Sequence, residues 1–382
     1  MQFIDLKAQY EILKNEINEN IQHVLNSTNY LMGNYVYQLE EELSKYVGVK
    51  HCITCANGTD ALQLALMAIN TGPGDAVFVP SFTFFSTAEV VSILGATPIF
   101  IDTDVDTFNI DNNQLEVAIK RVIEEGKLQP KAIIPVDLFG LPANFKEINK
   151  ISKKYDLVVI EDGAQGFGGS INNKRSCSFG DISTTSFFPA KPLGCYGDGG
   201  AIFTNSDEYN DKLKSLRVHG KGSFKYDNVR IGMNSRLDEI QAAILLPKLN
   251  AFKKFEVIKR NEFAKQYTKM LKYIVKTPEI PEGYTSSWAQ YTILLNSRQE
   301  REYLQNKLKE FDIPTMIYYP KPLHKQNVYS GYVFNLENLK NCEMISETCL
   351  SLPMHPYLTS EVVGWISEKI IKIVEDYRSG KQ

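Results

Sequence analysis

The sequence VVIEDGAQ, residues 158–165, decides the fold of this chain. Three apolar residues lead into Glu161 and Asp162, and Gly163 then ends the run. A short apolar run of this kind is typical of a buried strand, and the carboxyl end of a strand is a favoured functional position in a parallel sheet. We therefore expect an α/β fold in which Asp162 lies at the end of a strand.

The sequence on both sides of this run alternates β-rich and helical segments over residues 50–205. Such alternation indicates a mainly parallel sheet with helices on both faces and ligands at the carboxyl ends of the strands. The predicted strands are 51–55, 76–79, 97–101, 132–136, 157–160, 183–187 and 200–204, and the predicted helices include 59–69, 86–94 and 144–155.

The 382 residues exceed the size that one hydrophobic core usually serves. We expect a large domain at residues 1–250 and a smaller α/β domain at residues 251–382. The flanking patterns are one or two amphipathic helices in 11–46, a long helical region in 236–275, a strand-like run in 288–295, and helices near 298–310 and 360–377.

Lys191 lies in the run SFFPAKPLGCYGDGG, residues 186–200, one short structural unit after Asp162. The glycine-rich turn after Lys191 leaves little side-chain bulk to screen the amine from a ligand. A lysine amine can form a Schiff base with an aldehyde cofactor, and a carboxylate can keep a pyridine nitrogen protonated. The pair predicts an enzyme that uses pyridoxal 5'-phosphate (PLP).

A phosphate site is predicted at NGTDAL, residues 57–62, where a strand gives way to a helix. Gly58, Thr59 and Asp60 open this helix, and backbone N–H groups at a helix start attract phosphate. The alternative is a plain helix cap made by Thr59 or Asp60. Ser186 can add a hydroxyl to the same phosphate, or it is an ordinary strand serine.

The run PSFTFFSTA, residues 80–88, offers an aromatic ring that could stack on a flat cofactor, although most phenylalanines are core residues. The glycine clusters at 166–169 and 197–200 lack the spacing of a dinucleotide fingerprint, and no P-loop is present. Hydride and phosphoryl transfer are therefore disfavoured.

Composition excludes several partners. The net charge of −3 and the interleaved lysines give no basic surface for nucleic acid. The start of the chain lacks a secretory signal and no apolar stretch reaches membrane-spanning length, so we expect a cytoplasmic protein. Cys52 and Cys55 have a C-x-x-C spacing without a second pair, which favours buried thiols over metal ligands, and the five histidines form no metal pair.

Several motifs in one order resemble the DegT/StrS sugar-nucleotide aminotransferases, which are fold-type I PLP enzymes. The resemblance covers essentially the whole chain. The motifs that carry it are FIDL (3–6), GTDAL (58–62), EDGAQ (161–165), the block around Lys191, GMNSRLD (232–238), YPKPLH (319–324) and SLPMHP (351–356).

The resemblance implies roles for individual residues. Lys191 would form the Schiff base and Asp162 would pair with the pyridinium nitrogen, with Gln165 near the ring hydroxyl and Phe84 stacked on the ring. Gly58, Thr59, Asp60 and Ser186 would lie near the phosphate, and Asn234 would reach it from the second subunit of a homodimer. The implied substrate ligands are Arg236, Tyr318, Tyr319 and His324.

The implied reaction has two halves. L-glutamate first leaves its amino group on the cofactor, and the amino group then passes to a nucleotide-linked ketosugar for a surface glycan such as lipopolysaccharide. Lys191 would serve as Schiff-base partner and as acid and base.

The closest resemblance is to the branch that aminates C3 of UDP-linked 2-acetamido-3-keto sugars, including the glucuronate form. Arg236 would then bind an acidic group. Tyr318 departs from the histidine that often precedes the Y-P motif in that branch, and a neutral phenol lacks the charge of an imidazolium.

Three alternatives stay open at this point. One is amination at C4 of a UDP- or dTDP-linked 4-keto-6-deoxy sugar. A second is a sugar dehydratase, which Lys191 disfavours because that related group has histidine there. The third is a non-catalytic protein that senses PLP or a sugar.

Overall fold

The computed structural model describes residues 1–224, 226–331 and 339–380. In these residues the helices are α1 (Leu6–Ser27), α2 (Asn34–Val47), α3 (Gly58–Ala68), α4 (Ser86–Ile93), α5 (Asn112–Glu125), α6 (Phe145–Tyr155), α7 (Asp207–Leu216), α8 (Glu239–Ala251), α9 (Val257–Leu271), α10 (Arg298–Glu310), α11 (Lys340–Thr348) and α12 (Ser360–Arg378). The strands are β1 (His51–Cys55), β2 (Asp75–Pro80), β3 (Thr97–Ile101), β4 (Gln129–Ile133), β5 (Val158–Asp162), β6 (Ser170–Ile171), β7 (Lys174–Arg175), β8 (Ile182–Ser186), β9 (Gly200–Thr204), β10 (Tyr284–Thr285), β11 (Tyr291–Leu294) and β12 (Cys349–Leu352).

The central sheet has seven strands in the order β1-β9-β8-β5-β4-β2-β3. Strand β9 pairs antiparallel with both of its neighbours, whereas the other pairs are parallel. The expected mainly parallel sheet is confirmed. Strands β1, β2, β5 and β8 consequently point the same way, so their carboxyl ends meet at one edge.

Both faces of this sheet are buried. Along β2, Val77 and Val79 join one hydrophobic cluster, while Ala76 and Phe78 join another. Because alternate residues of a strand point to opposite faces, the two clusters lie on opposite sides of the sheet. A sheet covered in this way exposes only the strand ends, and functional side chains gather there.

Strand β4 differs from its predicted position. The sequence predicts a strand over 132–136, but the regular strand ends at Ile133 and only an isolated bridge joins Val136 to Asp162. Pro135 has no N–H for the ladder, although its carbonyl accepts a hydrogen bond of 2.9 Å from Asp162 N. The sequence pattern located a strand in this region but placed its start and its end three residues too late.

The C-terminal part of the chain builds a further hydrophobic cluster from α9, α10, α12 and the two-stranded sheet β11-β12. Leu323 and Cys342 instead pack into a cluster of the central sheet. A π-helical turn, Phe252–Glu256, joins α8 directly to α9. The proposed domain boundary at residue 250 therefore lies inside a continuous helical run, and the division into 1–250 and 251–382 stays a prediction.

All six cysteines are buried and carry free thiols. Burial raises the pKa of Cys52 and of Cys55 above the usual range of a thiol. These two residues therefore behave as small core side chains. Among the residues that the structure describes, no helix is long and apolar enough to cross a membrane.

Candidate active site

A cavity of about 610 Å³ opens at the edge where the carboxyl ends of β1, β2, β5 and β8 meet. The structure brings ten of the thirteen predicted site residues to its wall, although they are spread from residue 58 to residue 319. They are Gly58, Thr59, Asp60, Phe84, Asp162, Gln165, Ser186, Lys191, Tyr318 and Tyr319.

Lys191 and Asp162 influence each other across this cavity. Burial lowers the pKa of the Lys191 amine, and the nearby Asp162 carboxylate partly opposes that change. Burial likewise raises the pKa of Asp162, whereas a backbone hydrogen bond from Ala164 and the charge of Lys191 both lower it. A lysine whose pKa is lowered is more often neutral, and only a neutral amine is a nucleophile.

Asp162 is held by two hydrogen bonds at the end of β5. Thr87 Oγ1 donates to Oδ2 over 3.0 Å, and Ala164 N donates to Oδ1 over 3.2 Å. Thr87 lies in α4, whose start follows the aromatic run after β2. Sequence reasoning missed Thr87 because its position inside the run 80–88 gives no local sign of a contact with β5.

The start of α3 forms another wall of the cavity. Asn57 caps this helix, since its Oδ1 accepts a hydrogen bond of 2.8 Å from Asp60 N. A Cβ atom on Gly58 would lie 2.7 Å from Cβ of Ser186, so only glycine allows β8 to pass so close. The first amides of the helix and the Ser186 hydroxyl consequently border one space, as a phosphate group requires.

Gln165 connects the strand end to the C-terminal part of the chain. Its Oε1 accepts a hydrogen bond of 2.8 Å from Phe139 N, and its Nε2 donates one of 3.0 Å to the hydroxyl of Tyr319. Phe84 is 54% exposed, and its ring centroid lies 6.3 Å from that of Tyr319. An exposed aromatic face at a cavity wall is suited to a flat ligand.

Asn234 and Arg236 line a neighbouring cavity of about 650 Å³ instead. Arg236 Nη2 donates a hydrogen bond of 2.5 Å to Asn234 Oδ1. Asn57 and Asp198 border both cavities, so the two spaces adjoin.

His324 lines neither cavity. Its imidazole bonds to Ser81 and Glu343 instead. The structure thus separates His324 from the other predicted substrate ligands.

Nine further residues of the cavity wall were not predicted as site residues, although all of them except Gln290 lie in motifs quoted above. Ile4 arrives from the N-terminus and Gln290 from the segment before β11, both far along the chain from Lys191. The remaining ones are Asn57, Leu62, Ser86, Ala164, Phe188, Ala190 and Asp198. Among the described residues, no group of three or more His, Cys, Asp or Glu side chains could hold a metal ion.

A lysine and a buried carboxylate on one cavity, with a helix start and a serine beside them, suit PLP, and residues 11–371 match the model of the DegT/DnrJ/EryC1/StrS aminotransferase family. The chain belongs to this family. Its expected dependence on PLP and its aminotransferase class are thereby confirmed, and the resemblance seen in the sequence motifs holds over nearly the whole chain.

Three relatives illustrate the range of names in the family. A Pseudomonas aeruginosa protein named UDP-2-acetamido-2-deoxy-3-oxo-D-glucuronate aminotransferase is 46% identical over 94% of this chain and 96% of its own length. A Geobacillus stearothermophilus protein named pleiotropic regulatory protein is 42% identical over 98% of both chains. An Acidithiobacillus ferrooxidans protein named UDP-N-acetyl-3-dehydro-alpha-D-glucosamine 3-aminotransferase is 40% identical over 96% of both.

Solved structures agree with the fold. The crystal structure of a family aminotransferase from Brucella abortus is 50% identical, covers 99% of both chains and superimposes with a TM-score of 0.94. A Bacillus subtilis protein solved with its cofactor PMP bound is 29% identical, covers 98% of this chain and 83% of its own, and has a TM-score of 0.86. The fold-type I assignment made from the sequence is confirmed.

Proposed function

We propose that this chain is a cytoplasmic enzyme that moves the amino group of L-glutamate to C3 of a UDP-linked 2-acetamido-3-keto hexose or hexuronate. The product would serve the synthesis of a surface glycan such as lipopolysaccharide. The observation that carries the proposal is the single cavity shared by Lys191 and Asp162 in a chain of this family. The names of two of the relatives above, both C3 aminotransferases of UDP-linked sugars, support the choice of carbon and nucleotide.

PLP, when bound, supplies an aldehyde that a lysine amine can attack and a ring that accepts electrons. Lys191 is the amine for this role, and its lowered pKa favours the neutral form that can also accept or return a proton. Asp162 would face the ring nitrogen. Burial raises the pKa of Asp162 and so destabilises its ionised form. A cationic partner such as a protonated pyridine would stabilise that ionised form.

Suitable residues also line the cavity for the phosphate, the ring face and the ring hydroxyl of the cofactor. The start of α3 at Gly58, Thr59 and Asp60 and the hydroxyl of Ser186 would hold the phosphate. Phe84 would cover one face of the ring, and Gln165 would lie near the ring hydroxyl.

Lys191 is the only cationic side chain among the described residues of the main cavity wall, which also carries Asp60, Asp162 and Asp198. The carboxylates of glutamate and the diphosphate of a nucleotide sugar need further positive charge. Arg236 borders the adjoining cavity and is our candidate for an acidic substrate group. Tyr318 and Tyr319, which line the main cavity, would contact the sugar.

A homodimer would complete the site. Asn234 and Arg236 belong to the segment 226–236, in which the side chains of Val229 and Ile231 are 54% and 88% exposed. Large apolar side chains exposed together mark an interaction surface. We propose that this segment packs on a second copy, so that each Asn234 reaches the phosphate in the partner subunit.

The first experiment is the absorption spectrum of the purified protein with PLP, before and after L-glutamate is added. We expect a visible band from the bound cofactor that glutamate removes in the wild type, and no such response in Lys191→Ala. A control variant, Lys14→Ala, changes an exposed lysine and should behave as wild type. If the Lys191→Ala variant responds to glutamate as the wild type does, the role of Lys191 is wrong.

The substrate is tested by ranking kcat/KM for a UDP-linked 3-keto hexose, its hexuronate and a dTDP-linked 4-keto-6-deoxy sugar. The proposal expects one of the two UDP-linked 3-keto sugars to rank first. If the 4-keto sugar ranks first, the alternative of C4 amination replaces C3 amination.

A sensing role is the second candidate, because a relative that is 42% identical is named a regulatory protein. A sensor would not need the amine of Lys191 for chemistry. Wild-type protein that binds PLP but transfers no amino group from glutamate would favour this candidate.

A further inference from the structure

His324 joins the end of β2 and helix α11 to the segment that carries Tyr318 and Tyr319. It lies in the short helical turn Leu323–Lys325, and its side chain is only 8% exposed. Because His324 lines neither cavity, it has no direct route to the substrate. Its contacts nevertheless lead to residues that do line the main cavity.

Ser81 provides the first of these contacts. This residue directly follows β2 and is 0% exposed, and its Oγ lies 2.6 Å from Nδ1 of His324. The carbonyl of Ser81 also accepts a hydrogen bond of 2.8 Å from Leu323 N. The turn that contains His324 is thus fastened to the end of β2 through both main chain and side chain.

Glu343 provides the second contact. Its Oε1 lies 3.0 Å from Nε2 of His324, on helix α11. The start of α11 is in turn held by Asp102, which follows β3 and accepts a hydrogen bond of 2.9 Å from Cys342 N. An ionised Glu343 can only accept, so Nε2 carries the hydrogen and Nδ1 accepts from the Ser81 hydroxyl when the imidazole is neutral. Burial lowers the pKa of His324 and so favours the neutral form.

Serine, histidine and carboxylate bonded in this order also form the catalytic unit of many hydrolases. Ser81 cannot act in that way, because no part of it reaches solvent or either cavity. Its backbone N–H already donates a hydrogen bond of 2.8 Å to the carbonyl of Ile101. The three residues therefore hold structure and do not attack a substrate.

The structure they hold is the wall of the active site. Only four residues separate Tyr319 from His324, and two of them, Pro320 and Pro322, have a fixed φ angle. A short stiff segment passes a displacement at one end to the other. Tyr319 is aligned at its own end by a hydrogen bond from Gln165 Nε2 and by a T-shaped contact with the Phe82 ring, whose centroid is 6.1 Å away.

We propose that His324 is a positioning residue, which holds Tyr318 and Tyr319 against the cavity through Ser81 and Glu343. The kinetic part of this role rests on the aminotransferase function proposed above. Its structural part concerns the chain alone.

Four variants separate the contacts. His324→Ala removes both, and Ser81→Ala removes the serine side only. His324→Asn places an amide near the position of Nδ1 and can keep the bond to Ser81, whereas Glu343→Gln keeps an acceptor for Nε2. The two conservative variants serve as matched controls in case His324→Ala folds poorly.

We expect His324→Ala to raise KM for the ketosugar about tenfold with a much smaller change in kcat, because both hydrogen bonds that hold the segment with Tyr318 and Tyr319 are lost. Ser81→Ala should also raise KM for the ketosugar. The KM of His324→Asn should lie much closer to that of the wild type than the KM of His324→Ala does. Hydrogen exchange of the amides in 316–326, measured on the PLP-loaded protein, should accelerate in His324→Ala and Ser81→Ala but not in Glu343→Gln.

Two results would overturn the proposal. One is unchanged exchange in 316–326 and unchanged KM in both alanine variants. The other is exchange that accelerates evenly over the whole chain with KM intact, because that pattern means a general loss of stability. If the wild type aminates no ketosugar, the proposed function fails, while the exchange data still decide whether His324 holds the segment.

Discussion

The hydroxyl of Thr87 donates a hydrogen bond of 3.0 Å to Oδ2 of Asp162, and both side chains are buried. This contact joins the start of α4 to the end of β5. The carboxylate therefore has a fixed orientation before any ligand arrives. Such preorganisation spares the site from reordering during the reaction.

Replacing Asp162 with Asn should slow amino transfer from L-glutamate by roughly 10²-fold or more, because a neutral amide cannot hold a proton on the ring nitrogen. Thr87→Val should slow it only about fivefold, as expected for one lost hydrogen bond. The measurement is the single-turnover rate with L-glutamate. Asp207→Asn, at an exposed site, is the control. Equal rates in Asp162→Asn and the control would rule out the role of Asp162.

Asp137 should make the stability of the protein depend on pH. It is buried beside Glu161, and its Oδ1 accepts a hydrogen bond of 3.0 Å from Ala143 N. Glu161 already accepts from Phe179 N over 2.7 Å and from Ser183 Oγ over 2.8 Å, so it is the better anion of the pair. Burial and the Glu161 charge raise the pKa of Asp137 well above its usual range, which keeps its proton in the folded state.

A carboxyl whose folded-state pKa is raised gives stability that is complete below its unfolded pKa, at about pH 4, and is lost as the pH rises toward the folded value. Asp137→Asn keeps a neutral group of the same shape and should not show this loss. We expect the Tm of Asp137→Asn to exceed that of the wild type at pH 8 by more than at pH 5. A difference in Tm that stays constant between these values would contradict a protonated Asp137.

The buried ion pair between Arg217 and Glu40 should matter far more than the surface pairs. Arg217 Nη1 lies 2.6 Å from Glu40 Oε1, and Thr54 N also donates to that oxygen over 2.9 Å. Glu40→Ala leaves a buried guanidinium without its partner and should cost about 3 kcal/mol or more of unfolding free energy. Glu11→Ala breaks the exposed pair with Lys14 and should cost less than about 1 kcal/mol. Urea unfolding of both variants tests the contrast, and equal losses would refute it.

The homodimer proposed above, with a site shared between its subunits, predicts complementation between two inactive variants. A dimer of one Lys191→Ala chain and one Asn234→Ala chain would contain one complete site, because the intact Lys191 and the intact Asn234 meet there. Co-expression with two affinity tags isolates this heterodimer, whose activity should be about half that of the wild type, since one of its two sites is complete. If each chain supplies its own Asn234, the heterodimer will be as inactive as the parents.

Local patterns were enough to predict most of the central sheet. Strands β1, β3 and β9 begin and end where the sequence predicts, because each is a short apolar run closed by polar or glycine residues. The antiparallel direction of β9 has no local signal, since direction depends on which neighbours the strand meets. The amphipathic helix α5 was missed, although its apolar residues recur at helical spacing and Asp111 caps it through bonds to Asn113 N and Gln114 N.

The candidate site divides in a similar way. Lys191, Asp162 and the start of α3 carry motifs, and the structure places all three on one cavity. Thr87 and Gln290 reach that region only through folding, so no motif marks them. His324 belongs to a motif, but its side chain faces Ser81 and Glu343 and lines neither cavity, so its role as a substrate ligand stays a prediction.

The pairing of β1 with β9 has a consequence for synthesis. Among the residues that the structure describes, strand β1 pairs only with β9 in the sheet, and β9 follows it by about 150 residues. During synthesis on the ribosome, the edge of β1 therefore stays unpaired until β9 has emerged. An unpaired strand edge promotes aggregation. A nascent chain stalled before residue 200 should need a chaperone to stay in solution.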